Sequence, residues 1–321
     1  QRTFEEGRGA MSNTATVLAF DFGASSGRAI RAVYNGQNLT YEEIHRFENV
    51  PIEKDGHLCW DVETLLKEIH TAIQKAGTFD SLGFDTWGVD FGLLDTDGHL
   101  LANPVHYRDA RTNGKPEQAA ARMPAEELYA HTGNQIMAIN TLFQLLALRE
   151  QDPELLQKTA QILFMPDLFA ALLGAEPVCE RSIASTSQML DPRTGQWSRE
   201  VLAVYGLNEK HFAPIVASGT VTGTLANGAK IIAVAGHDTQ CASAAMPCAE
   251  EDAEHTVFLS CGTWSLLGTE LDASILTADS CQSGLSNELG ANGKINYLKN
   301  IIGLWLIQES RREYKRRGQA Y

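Results

Sequence analysis

Apolar residues follow two different spacings along this chain, and these spacings predict strands near its start and helices further on. "VLAFDF" (17–22) is a short apolar run, and "RAIRAV" (28–33) alternates before the turn dipeptide Asn35-Gly36. We therefore expect two strands joined by a small-residue loop. Apolar residues then recur at helical spacing between Asp61 and Gly77. Since Asp favours the N-cap and Gly the stop position, this segment predicts an amphipathic helix.

The middle of the chain continues these patterns. "SLGFDTWGVDFGLLDTDGHLL" (81–101) predicts a hairpin about Asp97-Gly98 whose first strand is unusually polar and interrupted by glycine. Helical periodicity dominates 115–212 and predicts a helical insertion that faces a sheet. "KIIAVAGHDTQCASAA" (230–245) predicts a strand that runs into a helix of small residues. The junction between this strand and the helix carries the acid Asp238, just as the end of the first strand carries Asp21.

The last part of the chain repeats the pattern of its start. "HTVFLSCGTWSLLGTEL" (255–271) again places a loop of glycine and hydroxyl residues between two apolar strands. This duplication, weak in identity but clear in pattern, predicts a boundary between two lobes near 246–254. "GLWLIQESRREYKRR" (303–317) predicts an amphipathic helix with Trp305 in the core.

Length and charge limit the classes of protein. A chain of 321 residues exceeds the usual size of one core, so two lobes are expected. The formal charge of −14 argues against a general binder of nucleic acid or anionic membranes. The six cysteines contain no CxxC pair, and no apolar run reaches the ~20 residues of a membrane span. We expect free thiols and a cytoplasmic monomer.

The loop between the first two predicted strands, "GASSG" (23–27), could bind phosphate. Its glycines allow close approach, its backbone N–H groups and the hydroxyls of Ser25 and Ser26 are donors, and Arg28 could neutralise phosphoryl charge. Two simpler interpretations stay open: the loop could be an ordinary tight turn, or the G-x-S-x-G nucleophile elbow of a hydrolase. The elbow requires a helix after the serine, whereas a strand is predicted there.

The second loop and the two junction acids extend this hypothesis. Gly262 and Thr263 would form a second phosphate cradle that faces the first. Asp21, at the end of the first strand, could hold Mg²⁺ directly or through water. Asp238 could act as a general base, or it could only cap the helix that follows.

The polar residues of the 81–101 segment also have two interpretations. Asp85, Thr86, Trp87 and Asp90 offer acceptors, a donor and a stacking face for a sugar. Alternatively, they are the solvent-facing residues of a strand at a sheet edge.

Seven collinear blocks resemble the FGGY carbohydrate kinases of the actin-like ATPase superfamily, in particular the branch that acts on L-rhamnulose. The blocks are "FDFGASSGR", "GFDTWGVDFGLLD", "YRDARTNG", "MPD", "AGHDT", "SCGTWSLLG" and "LKNIIGLWLIQE". The resemblance implies an α/β fold of the actin-like ATPase (ribonuclease H-like) type with two lobes. It predicts a disordered upstream extension (1–12), an N-terminal sugar-binding lobe (13–248) and the start of a C-terminal nucleotide-binding lobe (249–321).

The same resemblance implies an activity and a set of site residues. The activity is transfer of phosphate from ATP, with Mg²⁺, to the 1-hydroxyl of L-rhamnulose. Asp238 would be the proton acceptor. The implied ATP-binding residues are Ala24, Ser25, Ser26, Gly27, Arg28, Thr263, Asn300 and Gln308. The implied sugar-binding residues are Gly88, His237, Asp238 and Thr239.

The chain departs from the family pattern at its end, because nothing after Glu309 resembles the family's Gly-rich adenosine-binding block. We therefore expect a second lobe that is truncated, with an apolar sheet edge left open. Two alternatives remain beside the kinase hypothesis: an inactive fragment that retains sugar binding, and a kinase for another ketose such as xylulose or fuculose.

Overall fold

The structure is a computed structural model, and it describes residues 14–249, 252 and 255–319. The extension predicted over 1–12 lies outside the described residues. The strands are β1 (Ala15–Phe22), β2 (Ser26–Tyr34), β3 (Leu39–Glu48), β4 (Ile52–Lys54), β5 (His57–Cys59), β6 (Ser81–Thr86), β7 (Phe91–Leu94), β8 (Gln161–Phe164), β9 (Cys179–Glu180), β10 (Leu190–Asp191), β11 (Gln196–Trp197), β12 (Ile215–Val216), β13 (Thr220–Thr224), β14 (Lys230–Ala233), β15 (Phe258–Cys261), β16 (Trp264–Leu271), β17 (Ser286–Leu289) and β18 (Ile295–Ile302).

In sequence, most of the helices lie between β6 and β15. They are α1 (Val62–Ala76), α2 (Lys115–Ala120), α3 (Ala125–Thr132), α4 (Thr141–Gln151), α5 (Pro153–Lys158), α6 (Met165–Leu172), α7 (Arg181–Ala184), α8 (Arg199–Tyr205), α9 (Asp238–Ala244), α10 (Ala278–Gln282) and α11 (Trp305–Arg316). None of the helices in the described part of the chain is long and apolar enough to cross a bilayer.

The first sheet has six strands in the order β13-β14-β6-β1-β2-β3. Its centre is parallel, because β6 pairs in parallel with both β1 and β14. Along β1, Leu18, Phe20 and Phe22 are fully buried. Strand alternation therefore turns Asp21 to the other side of the sheet. The strands predicted at 17–22 and 28–33 are confirmed.

Helix α1 begins and ends as the sequence predicts. The Asp61 side chain accepts a hydrogen bond from the backbone N–H of Thr64 (3.1 Å), and Gly77 follows the last turn with a φ of 66°. Leu65 and Ile69 are buried against the core. The helix packs against β2 and β3.

The segment 81–101 differs from the predicted hairpin. Its first run divides into β6 and β7, which belong to different sheets, because the chain leaves the strand conformation between Trp87 and Asp90. Around Asp97-Gly98 only one antiparallel bridge forms, between Leu94 and Leu100. Since β6 lies between β1 and β14, the interpretation of its polar residues as a solvent-facing sheet edge is wrong.

The region 115–212 is mainly helical, as predicted, and short strands interrupt it. Strand β8 pairs with β7 and ties this region to the chain that follows β6. Helix α6 packs against β6 and β14, and Phe169 of this helix stacks on Phe22 with ring centroids 4.8 Å apart. The helical region is thereby fixed to the centre of the first sheet.

The second sheet has four strands in the antiparallel order β15-β16-β18-β17. Its own buried core is small and consists of Phe258, Leu266 and Leu298. Helix α11 follows, and none of its residues is buried. The prediction that Trp305 belongs to the core is therefore wrong, because this side chain is only partly covered.

Candidate functional site

A cleft of about 610 Å³ opens between the two sheets. Its volume lies within the range of small-molecule sites. The predicted site residues that line the cleft are Asp21, Ala24, Ser25, Ser26, Arg28, Gly88, His237, Asp238, Thr239, Thr263, Asn300 and Gln308. Apart from Gly27, the structure thus brings the whole predicted set to one cavity.

The first loop (23–27) is held by hydrogen bonds within the loop and from Asn49. The Gly23 N–H donates to the Ser26 carbonyl oxygen (2.9 Å). Asn49, which is 3% exposed, donates from its backbone to the Ser25 oxygen (3.1 Å) and from its amide to the Gly23 oxygen (2.9 Å). Asn49 follows β3 and carries no motif, so the sequence gives no signal for its role.

Gly27 does not line the cleft, in contrast to the prediction for this residue. It is buried in β2, and a Cβ built on it would lie 2.2 Å from Cζ of Phe47. The ring of Phe47 occupies the place of a side chain and also packs edge-on against Phe22. In this structure the glycine is required for packing under the loop.

The second loop is joined to helix α11. The Leu304 N–H donates to the Gly262 oxygen (3.0 Å), and the Trp305 N–H donates to the Thr263 oxygen (3.2 Å). Gly303 permits this approach, because a Cβ there would lie 2.5 Å from Oγ of Ser265. Gln308 therefore reaches the same cleft as the loop.

Three carboxyl groups come from the ends of three neighbouring strands. Asp21 of β1 and Asp85 of β6 are partners in the parallel register, and Asp238 follows β14. Burial, together with the negative charges of Asp21 and Asp238, raises the pKa of Asp85 well above its ordinary value. Both guanidinium contacts of Arg28 (2.6 and 2.7 Å) are made to Oδ2 of Asp21.

Asp238 begins helix α9 and is open to the cleft, with 39% of its side chain exposed. Its Oδ1 accepts a hydrogen bond from the Thr239 N–H (2.6 Å). The protein around the carboxyl group shields it from water and so raises the pKa of Asp238, while the charge of the neighbouring His237 lowers this pKa. The interpretation of this acid as the helix cap is wrong, because His237 is the N-cap and Asp238 is the first helical residue; its side chain faces the cavity.

His237 contacts an acid that the sequence analysis does not identify. Its Nδ1 lies 2.9 Å from Oε2 of Glu288, which is 4% exposed on β17 of the second sheet. Burial alone would lower the pKa of His237, but the charge and hydrogen bond of Glu288 outweigh it and raise this pKa to about 9. The contact with Glu288 therefore favours the cationic form of the imidazole.

The side of the cleft near Gly88 is formed by the break after β6. A Cβ on Gly88 would lie 3.3 Å from the Thr186 methyl group and 3.4 Å from Nε2 of His237. Val89 has a φ of 68°, which is strained for a β-branched residue. Its N–H donates to Thr186 Oγ1 (3.1 Å), and its oxygen accepts from Thr141 Oγ1 (2.7 Å). The helical region thus holds this backbone in place.

Of the four polar residues considered for sugar binding, two reach the cleft. Asp85 and Trp87 line it. Thr86 is fully buried and donates to the Trp87 oxygen (2.8 Å). Asp90 is also fully buried, and its Oδ2 accepts from the indole N–H groups of Trp60 (2.6 Å) and Trp87 (3.0 Å). Asp90 therefore supports the wall of the cleft from behind.

Further polar residues line the cleft without any signal in the sequence. They come from the helical region and from the second sheet, and they are Asn134, Asn140, Thr186, Ser286 and Glu288. Ser286 and Glu288 share β17, but no local pattern marks any of these residues for the site, and only the folded chain brings them to it.

Comparison with known proteins identifies the family of this chain. The family described as "FGGY family of carbohydrate kinases, N-terminal domain" matches residues 16–244. This chain belongs to the FGGY family of carbohydrate kinases. A rhamnulokinase from Bacteroides thetaiotaomicron is 40% identical over 307 residues, and one from Halalkalibacterium halodurans is 39% identical over 312. These matches cover 92% and 94% of this chain but only 63% and 66% of the relatives.

Solved structures of other sugar kinases share the fold. A ligand-bound xylulose kinase from Lactobacillus acidophilus superposes with a TM-score of 0.77 at 16% identity, over 92% of this chain and 62% of that one. A glycerol kinase from Plasmodium falciparum with ADP gives a TM-score of 0.71 at 16% identity, over 92% and 63%. The predicted α/β fold of the actin-like ATPase type is confirmed.

Proposed function

We propose that the cleft binds ATP and a ketose and transfers the γ-phosphoryl group to the 1-hydroxyl of L-rhamnulose, giving L-rhamnulose 1-phosphate and ADP. The observation that carries the proposal is the shared cavity, in which Asp238, with 39% of its side chain exposed, lies with both small-residue loops. The name rhamnulokinase, given to relatives at 39–40% identity, supports the choice of sugar.

Each group in the cleft has a role in this reaction. Asp238 would accept the proton of the sugar hydroxyl as its oxygen attacks phosphorus, and His237 and Thr239 would orient the sugar beside it. The small-residue loops would hold the phosphate oxygens with backbone N–H groups, and Arg28 would neutralise charge that spreads onto the transferred group. Most of the rate enhancement would come from this positioning.

Asp21 fits the requirements of a magnesium ligand. Its carboxylate oxygens are ligands that Mg²⁺ prefers, and because both Arg28 contacts are made to Oδ2, Oδ1 is the atom we assign to a hydrated cation. The bound ion would neutralise phosphate charge during transfer. Arg28 would hold the carboxylate in position for it.

Replacement of the proposed base provides the first test. Asp238→Asn should reduce turnover of L-rhamnulose by ~10²–10⁴-fold with little change in KM, because a general base acts in the transition state. The amide oxygen can still accept the Thr239 N–H, so the helix start should persist. ADP release over a panel of ketoses measures the effect, and Asp279→Asn, at an exposed position of α10, is the matched control. Full activity of Asp238→Asn would refute the assignment.

A second candidate function is sugar binding without phosphoryl transfer. It is favoured by one observation, that the family match covers the N-terminal domain over residues 16–244. Calorimetric titration with L-rhamnulose and, separately, with Mg-ATP distinguishes the two candidate functions. A heat of binding for the sugar but none for the nucleotide would support sugar binding alone. Faster ADP release with xylulose or fuculose than with L-rhamnulose would instead identify another ketose as the substrate.

The remaining expectations belong to the same proposal. We propose a cytoplasmic location and a monomeric state, with no nucleic acid or membrane as partner. The cysteines are free thiols in the structure, which fits a reducing compartment. Sedimentation of the purified chain measures its oligomeric state.

A further inference from the structure

Glu288 occupies an unusual place for an acid. It lies on β17 of the second sheet and is 4% exposed, yet its carboxylate contacts residues that follow β14 of the first sheet. Its Oε2 is 2.9 Å from Nδ1 of His237 and accepts a hydrogen bond from Nε2 of Gln240 at 2.8 Å. A buried carboxylate is costly unless it is paired, so this arrangement requires a charged partner.

The contacts continue from His237 to the proposed base. Nε2 of His237 lies 3.5 Å from Oδ1 of Asp238, on the other side of the ring from Glu288. Gln240 is itself oriented by Asn296 of β18, whose amide donates to its oxygen. An acid, an imidazole and an acid thus form a continuous row from the second sheet into the cleft.

The charges around this row determine the state of the imidazole. His237 faces Glu288 from β17, Asp85 from β6 and Asp238 from its own segment. A further acid, Glu180, accepts a hydrogen bond from the backbone N–H of Gly236, the residue before His237, at 2.9 Å. A cationic imidazole is favoured in this acidic environment.

Asp238 has a different set of charged neighbours. It faces Asp21, whose negative charge raises the pKa of Asp238 and disfavours its ionised form. Arg28 is paired with Asp21. His237 is the cation nearest to Asp238 that the described hydrogen bonds and ion pairs provide. The ionised form of the base therefore depends on the charge of this imidazole.

We propose that Glu288 is a positioning residue for the base: through His237 it holds a protonated imidazole against Asp238 and links the second sheet to the proton acceptor. This inference rests on the proposed function and goes beyond it, because Glu288 lies on the other sheet and acts through His237. Loss of its charge should leave the imidazole neutral near pH 8. Asp238 would then remain protonated to a higher pH.

Glu288→Gln tests the charge while it preserves the size of the side chain and an oxygen that can accept from Nδ1. We expect the acid limb of the kcat/KM profile for L-rhamnulose to move up by about one pH unit, in line with the effect of one nearby opposite charge. On the acid limb itself kcat/KM should therefore fall about tenfold at a given pH, and above the limb it should stay close to that of the parent chain. Glu270→Gln, which removes an acid from β16, is the matched control.

The protonation state of the His237 ring can be measured by NMR without any need for enzymatic activity. Histidine-selective NMR, assigned with His237→Gln, should show His237 protonated at pH 8 in the parent chain and neutral in Glu288→Gln. An unchanged ring titration in Glu288→Gln, or a neutral ring in the parent chain, would overturn the inference, as would an equal loss of activity at every pH. A neutral ring in the parent chain overturns the inference even where Glu288→Gln does not fold.

The two proposals can fail separately. A parent chain that phosphorylates no ketose contradicts the proposed function, whereas the NMR titration still tests whether Glu288 sets the charge of His237. Normal turnover with an unmoved acid limb in Glu288→Gln contradicts only the role of Glu288.

Discussion

At the scale of single residues, Asp90 shows how the wall of the cleft is held. Trp60 and Trp87 donate their indole N–H groups to its Oδ2, the Tyr107 N–H donates to the same atom (3.1 Å), and Gln144 donates to Oδ1 (2.9 Å). Burial raises the pKa of Asp90 to about 6, although these hydrogen bonds lower it. The carboxylate organises donors that would otherwise be buried without acceptors.

We expect Asp90→Ala to be far more destabilising than Asp90→Asn. The alanine leaves several buried donors without an acceptor, each at a cost of about 1–3 kcal/mol, whereas the asparagine retains one accepting oxygen. The free energy of unfolding in urea measures the difference. Equal midpoints for Asp90→Ala and Asp90→Asn would contradict this account of the network.

The same group predicts a pH dependence. Because the folded chain binds the Asp90 proton more tightly than the unfolded chain, the contribution of this group to stability should fall as pH rises from its ordinary 3.8 to about 6, and should stay constant above that. Asp90→Asn should lack this component. Urea midpoints at pH 4.5 and pH 7, compared between the parent chain and Asp90→Asn, show whether it exists.

The residue types at the site could be read from the sequence, but their surroundings could not. Loops of Gly and Ser, and acids at strand ends, are local patterns, which is why Ser25 and Asp238 were identified. Asn49 and Glu288 have no local pattern, because their partners lie 26 and 51 residues away in the chain. The burial of Gly27 under Phe47 is likewise a tertiary contact.

At the scale of elements, α1 is the clearest agreement between sequence and structure. Its cap, its apolar spacing and its stop are all local, so Asp61 and Gly77 define its ends. The segment after it was predicted less well. The parallel neighbours of β6 are β1 and β14, which lie far from it in sequence, so its polar residues could not be distinguished from those of an edge strand.

We expect Asp61→Ala to lower the free energy of unfolding by about 1 kcal/mol, the usual effect of removing an N-cap. The Thr64 hydroxyl lowers the pKa of Asp61, so this contribution should be present above the ordinary pKa and be lost as pH falls through the folded value. Asp61→Asn, which can still cap, should have a smaller effect. Urea unfolding followed by circular dichroism measures both, and an equal loss for the two variants would count against capping.

At the scale of the whole molecule, the guanidinium of Arg108 connects the segment that follows β7 to the second sheet and to helix α11. It lies 5.2 Å from the ring centroid of Tyr107, 5.3 Å from that of Trp264 and 4.8 Å from that of Trp305. Tyr107 follows β7, whereas the tryptophans belong to β16 and α11. The lobe boundary predicted near 249 stays a prediction, but these contacts join the segment after β7 to the second sheet and to α11.

Arg108→Ala should loosen helix α11, which has no buried residues of its own to anchor it. We expect faster amide hydrogen exchange over 305–316 and unchanged exchange over 62–76, because only the first segment loses a cation–π contact. Arg122→Ala, on the exposed surface of the helical region, is the control. Identical exchange of α11 in the parent chain and Arg108→Ala would show that the contact contributes nothing to its docking.

The joint between the second loop and α11 has a spectroscopic consequence. The Trp305 N–H donates to the Thr263 oxygen, and the indole ring lies beside Arg108, so the ring stands next to the proposed phosphate cradle. A polyphosphate that reorders the cradle would change the surroundings of this indole. The chain therefore contains an intrinsic fluorophore beside the proposed phosphate cradle, and emission from that ring should report occupancy of the cradle without any added label.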